Sequence, residues 1–193
     1  HDRKSTTGRS MMSYKNEKDG ILRMNVSPAK DLSREPADDF NFDMEDGPAL
    51  FEVMKASLIE SRGIGLAAPQ LGVDRRVFIM GHYESPDDIV PVYNPEILEA
   101  SADTLMYEEG CLSFPDLYVS VRRPRVIRVR YSTPEGIRNT IKFDGMSARI
   151  FLHEMDHLDG FVMTDRASRF HLDRARKNLK LLLRRRKRAE KKK

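Results

Sequence analysis

The sequence predicts an α+β fold: short, mostly antiparallel strands packed around a central helix, with a basic helix at the C-terminal end. Three observations carry this. Short β-branched and aromatic runs between residues 76 and 143 do not alternate regularly with helical segments, which argues against a parallel βαβ array. Apolar residues recur at helical spacing around Ile150. A last helical pattern, after Ser168, sets leucines on one side and arginines on the other.

The elements follow in order. A first helix is expected from Pro48 to Ser61, with Leu50, Phe51, Met54, Leu58 and Ile59 as its apolar face and Arg62-Gly63 as its stop. The segment Gly63-Ile64-Gly65-Leu66-Ala67-Ala68-Pro69-Gln70-Leu71-Gly72 reads as a glycine-rich turn. Strands are expected at Arg76–Met80 and Val90–Tyr93, joined through Ser85-Pro86-Asp87, and then at Tyr118–Val121, Val126–Tyr131 and Ile137–Phe143. Thr133-Pro134-Glu135-Gly136 is a hairpin-type turn. A second helix should run from Met146 to Leu158, burying Ile150, Phe151, Met155 and Leu158, with Gly160 closing it. The third should span Arg169 to Arg188, with Leu172, Ala175, Leu179, Leu182 and Leu183 on one side.

Length and composition bound what such a chain can be. At 193 residues it fits one domain with a tail, and 39% apolar residues can supply one core. No stretch reaches the roughly 18 apolar residues a membrane helix needs. The one cysteine, Cys111, forbids an intrachain disulfide framework and favours a reducing compartment. Residues 1–20 are polar and aperiodic and are expected to be flexible; the chain opens on His1 and not Met, and Asp2, Glu17 and Asp19 argue against a transit peptide. A folded domain is expected at 21–166 and a basic helix and tail at 167–193. Charge divides the same way. From Arg166 to Lys193 there are 14 Lys and Arg against two acidic residues, a net +12, while residues 1–165 carry 20 against 28, a net −8. The overall +4 therefore describes the tail and not the body.

The signal that carries chemistry is His153-Glu154-Met155-Asp156-His157. Four residues are just over one helical turn, so the imidazoles of His153 and His157 share a face and can hold one metal ion, with Glu154 placed to hold a water and not to ligate. A catalytic site needs a third protein ligand. The extended HExxHxxGxxH pattern keeps Gly160 but has Met163 at its third histidine, and downstream the carboxylates are only Asp159, Asp165, Asp173 and Glu190. The third ligand must therefore come from upstream. Cys111, in the polar turn Glu108–Ser113, is the best candidate, because a thiolate with two imidazoles suits Fe(II) or Zn(II) better than Mg(II) or Ca(II). His82 and His171 are rivals, each standing alone. Arg149, one turn before His153 on the same face, could reach a substrate main chain or form a plain surface ion pair.

Three segments, in order, resemble the peptide deformylases: Gly63–Gln70, then Glu109-Gly110-Cys111-Leu112-Ser113, then His153–His157. The likeness covers about Ile21 to Arg166. It implies a hydrolase that removes the formyl group from the N-terminal formylmethionine of new polypeptides and releases formate. It further implies His153, His157 and Cys111 as metal ligands, with Fe(II) native and Zn(II), Ni(II) or Co(II) able to replace it. Glu154 would be the general base and then the acid, and Gln70 and the backbone N–H of Leu112 would hold the oxygen of the attacked carbonyl. Gly65 with Ile64 beside it, and Gly110, would pair with an extended peptide.

The cationic run Arg184-Arg185-Arg186-Lys187-Arg188 and Lys191–Lys193 exceeds what a helix end needs for capping. The resemblance implies ribosomal RNA near the nascent-chain exit as its partner, bound through phosphates. A monomer in bacterial or phage-infected cytoplasm, or in an organelle interior, is the expected setting. Two other classes compete: a metallopeptidase or amidase with another acyl preference, and an RNA-binding module whose metal is structural and held by four ligands.

Overall fold

The computed structural model describes residues 34–192, so the N-terminal segment expected at 1–20 lies outside the described residues. Helix α1 spans Gly47–Ser61; the Asp46 carboxylate caps it by accepting from the Ala49 N–H, Pro48 sits in its first turn, and Arg62, in the left-handed region, ends it. Its buried face is Leu50, Val53, Met54, Ser57 and Leu58. That face is rotated from the expected one: Ile59 is exposed and Phe51 only half-buried, because the sheet contacts the Val53 side.

The segment expected as a glycine-rich turn is more regular. Gly65–Ala67 forms strand β1, and Ala68–Leu71 a single 3₁₀ turn. Strands β2 (Val77–Met80) and β3 (Val90–Ala100) follow, then β4 (Thr104–Cys111), β5 (Phe114–Pro124), β6 (Val126–Ser132) and β7 (Arg138–Asp144). β1, β2, β3, β6 and β7 form one sheet in that order, while β4 and β5 form a separate hairpin, and all pairings are antiparallel. The turn at Thr133–Gly136 closes as expected, with the Thr133 N–H donating to the Ile137 carbonyl.

Two strand features differ from expectation. β3 runs seven residues past Tyr93, through Asn94 at positive φ and an irregular register between Tyr93 and Glu96. Pro91, Asn94 and Pro95 masked it as a strand, and the bulge is what accommodates them. β4 carries no apolar alternation because its one buried side chain is Glu109; Cys111 is therefore the last residue of a strand, not part of a loose polar turn.

Helix α2 (Gly145–Leu158) packs against β1, β2, β6 and β7 and also touches β5. Ala148, Phe151, Leu152 and Leu158 join Phe78, Val92, Ile127 and Val129 in the core beneath it. It ends at Gly160 (φ 80°), where a Cβ would lie 2.1 Å from the Arg34 carbonyl oxygen, so only glycine allows the chain to turn there. After the short helix α3 (Met163–Arg166), helix α4 runs from Arg169 to Glu190. Ala175 is buried and Leu179 half-buried against Leu117, Val119 and Val121 of β5. Leu182 and Leu183, expected on the packed side, are exposed, since packing ends before the helix does. Among the described residues no helix is long and apolar enough to cross a membrane.

Candidate metal centre and substrate cavity

The candidate metal centre draws on two elements. α2 supplies His153 and His157, whose ring centroids are 5.2 Å apart, and the end of β4 supplies Cys111, whose Sγ lies 3.4 Å from His157 Nε2. One ligand atom from each of the three comes within 4.8 Å of the others, and both histidines are buried. His82 and His171, the rival ligands, are elsewhere: His82 stacks on Tyr83, and His171 Nδ1 sits 2.7 Å from the Ser168 hydroxyl that caps α4. Among the described residues no fourth such ligand joins the three, which argues against a closed structural site.

A buried charged group behind the histidines orients them, and sequence reasoning assigned it no role. His153 Nδ1 donates to Glu109 Oε2 (2.9 Å), which leaves Nε2 for the centre. Glu109 also accepts from Arg123 through both its oxygens (2.6 and 2.9 Å) and from Arg149 Nη1 (2.7 Å). Arg123 continues to Asp156 (2.8 Å), which takes a further bond from Arg166 (2.7 Å). A signal for Arg123 was present: Leu117, Val119, Val121 and Arg123 alternate along β5 and all face inward. Glu109 opens the second deformylase-like segment, but its partners were not legible because they lie 14, 40 and 44 residues away. Arg149 does not form the surface ion pair that was one expectation. It is buried, with its remaining bonds to the Val121 and Leu105 carbonyls, and it is one of the residues that line the cavity.

The protonation pattern follows from this wiring. Burial would raise the Glu109 carboxyl, but its hydrogen bonds with Arg123 and His153 outweigh that and lower it to about 2. Burial likewise opposes a charge on His153, yet its bonds with Cys111 and Glu109 hold its pKa well above the usual histidine range. Burial, with the charges of His153 and Arg123, holds His157 well below it, neutral and able to ligate.

Glu154 stands apart. It is buried, and its Oε2 is the one buried side-chain N or O atom among the described residues without a hydrogen-bond partner. Burial first, and the nearby Glu109 and Asp156 charges, raise its carboxyl to about 7 against the pull of His153 and Arg123. Gly65 makes room for it: a Cβ there would fall 2.4 Å from Glu154 Oε1. An orphaned carboxylate oxygen beside one sulfur and two nitrogen ligands fits a divalent metal with an associated water.

Gln70 is buried, its amide set by two neighbours. Oε1 accepts from the Ala67 N–H (2.9 Å), so Nε2 faces the centre, donating to Ser113 Oγ (3.0 Å) and lying 3.6 Å from Cys111 Sγ. Leu112 buries part of its side chain against the α1 cluster while its backbone follows Cys111. The centre opens into a cavity of about 500 Å³ bordered by Ile64, Gly65, Gly110, Leu112, Tyr118 and Arg149. Nine of the ten expected site residues line this cavity, and the tenth, His157, lies beside Cys111 and His153.

The family model for polypeptide deformylase matches residues 21–173. A peptide deformylase of Thermotoga neapolitana is 44% identical over 115 residues, 60% of this chain and 68% of that protein. One from Phenylobacterium zucineum is 42% identical over 134 residues, 68% and 79% respectively. Among solved structures, peptide deformylase from Plasmodium falciparum superposes with a TM-score of 0.71 at 33% identity, covering 81% of this chain and 92% of that one. A Met-Ala-Ser-bound peptide deformylase from Acinetobacter baumannii gives 0.68 at 33% identity, covering 76% and 98%.

Proposed function

The chain belongs to the polypeptide deformylase family, and from that premise we propose how its own residues divide the reaction. The enzyme hydrolyses the formyl amide at the N-terminus of new polypeptides, releasing formate and a free amine. The observation that carries the residue assignment is the unpartnered Oε2 of Glu154 beside Cys111, His153 and His157. Those three would hold the metal, with Fe(II) the native ion and Zn(II), Ni(II) or Co(II) able to take its place; a thiolate with two imidazoles suits these ions. When bound, the metal supplies a Lewis acid that acidifies water towards neutral pH.

Glu154 takes a proton from the attacking water, and its Oε2, buried and without a hydrogen-bond partner, is the atom placed to receive it. Oxygen attacks the formyl carbon while the carbonyl oxygen gains charge. Gln70 Nε2 and the Leu112 N–H stabilise that charge, and losing one such donor typically costs about 100-fold or more. Glu154 then returns the proton to the departing nitrogen as the C–N bond breaks. Ile64, Gly65 and Gly110 border the cavity along its extended backbone, where a peptide can add as a strand, and Arg149 walls the same cavity. Met-Ala-Ser, bound by the Acinetobacter relative, is the kind of product such a cavity would release. We further propose that the exposed cations of α4 meet ribosomal RNA, with the protein acting as a monomer in a bacterial or organellar interior.

The test is formate release from formyl-Met-Ala-Ser by anaerobic, Fe(II)-loaded protein. Glu154→Ala should lower kcat by about 10³-fold or more while retaining one equivalent of metal. Formate release by the variant at the parent rate would remove Glu154 from the chemistry.

A further inference from the structure

Helix α4 reaches the cavity through the side chain of Arg186, which bonds the cavity-lining Asp116. Ala175 and Leu179 pack against Leu117, Val119 and Val121, so the helix lies along β5. From Ala175 to Arg186 is three helical turns, a rise of about 16 Å, which keeps Arg186 on the packed side. From Val121 back to Asp116 along the strand is also about 16 Å. There the Arg186 guanidinium meets the Asp116 carboxylate through two bonds, Nη1 to Oδ2 at 2.5 Å and Nη2 to Oδ1 at 3.0 Å. Asp116 borders the catalytic cavity, and its φ of 63° is a conformation few L-residues adopt.

The charges at the cavity rim are few. Arg149, Glu109 and Glu154 line the cavity but are buried, whereas Arg62 and Glu108 border it exposed and half-buried Asp116 is the second acid at the rim. Counted with Arg186, the rim is balanced; without it, the rim carries one net negative charge. We propose that the Arg186–Asp116 pair determines specificity by keeping the rim neutral, so that residues following the formylmethionine are accepted whatever their charge. This rests on the deformylase reading of the cavity. The pair is half-exposed, Arg186 at 54% and Asp116 at 33%, so it adds little to stability and its effect falls on the substrate.

The experiment uses metal-loaded full-length protein and three amidated peptides: formyl-Met-Ala-Lys, formyl-Met-Ala-Glu and neutral formyl-Met-Ala-Ser. The parent should show a Lys-to-Glu ratio of kcat/KM within about twofold of one. Arg186→Gln should raise that ratio about fivefold, Asp116→Asn should lower it by a similar factor, and the double variant should return near the parent. Both shifts should shrink at about 0.5 M salt. Ratios that stay at the parent value, or move the same way in both single variants, overturn the proposal. If Asp116→Asn fails to fold, Arg186→Glu on the exposed helix decides: no increase in the ratio sinks the idea. No formate from any peptide by the parent would instead overturn the deformylase reading, which keeps the two failures distinct.

Discussion

Helices α2 and α4 use similar side chains to opposite ends. On α2, Arg149, His153, Asp156 and His157 are buried, each tied to a particular partner on β4, β5 or α3. On α4 nearly every cation faces solvent, and Arg186 is singled out by its bond to Asp116. Burying a charge is costly unless it is paired, so the α2 charges depend on one another, whereas those of α4 act as a sum. Individual positions on α2 should be intolerant and those on α4, Arg186 apart, interchangeable.

The sharpest way to break that contrast is Glu109→Gln. It leaves Arg123 and Arg149 without their carboxylate in the interior, and unfolding free energy should fall by roughly 3–5 kcal/mol. Metal affinity should drop about 10- to 100-fold as His153 loses its anchor. Denaturant titration and metal competition measure both, and a loss below about 1 kcal/mol would place Glu109 with the surface charges.

Gly65→Ala follows in size. The new methyl must displace the Glu154 carboxyl group, so kcat should fall about 100-fold with far less change in melting temperature. Parallel kinetics and thermal melts separate the two.

The next expectation concerns pH in the metal-free protein. The folded pKa of Glu154 is raised to about 7, so the native state holds this proton more tightly than the unfolded chain. That contribution, up to about 3 kcal/mol, is fully present below about pH 4.5 and is lost as pH rises through 7. Glu154→Gln should therefore flatten the fall in stability between pH 5 and 7. Melting curves that keep the parent slope would show the carboxyl ionising freely.

The smallest effect on stability belongs to α4. Replacing Arg184, Arg185 and Arg188 by Ser should change unfolding free energy by less than about 1 kcal/mol, yet weaken co-sedimentation with ribosomes at low salt. Unchanged co-sedimentation would detach α4 from RNA.

Much of the site was legible before any fold was built. The spacing of His153 and His157 dictates a shared helix face, and the absence of a downstream third ligand sends the search to Cys111. Helices α1, α2 and α4 were readable because each pairs an apolar period with a terminal signal. β4 and the far half of β3 were not. Prolines and Asn94 hid one, and the other presents a buried glutamate where a strand would ordinarily show an apolar side chain.

What the sequence by itself determined is therefore local: helix periods, the metal-ligand spacing and the accumulation of charge after Arg166. The tertiary structure alone decided that Glu109 orients His153, that Arg149 points inward, that Gly65 yields space to Glu154 and that Arg186 reaches Asp116. Periodicity and spacing act within a few residues, whereas these contacts join strands and helices 40 to 89 residues apart, and their worth depends on how far packing excludes water.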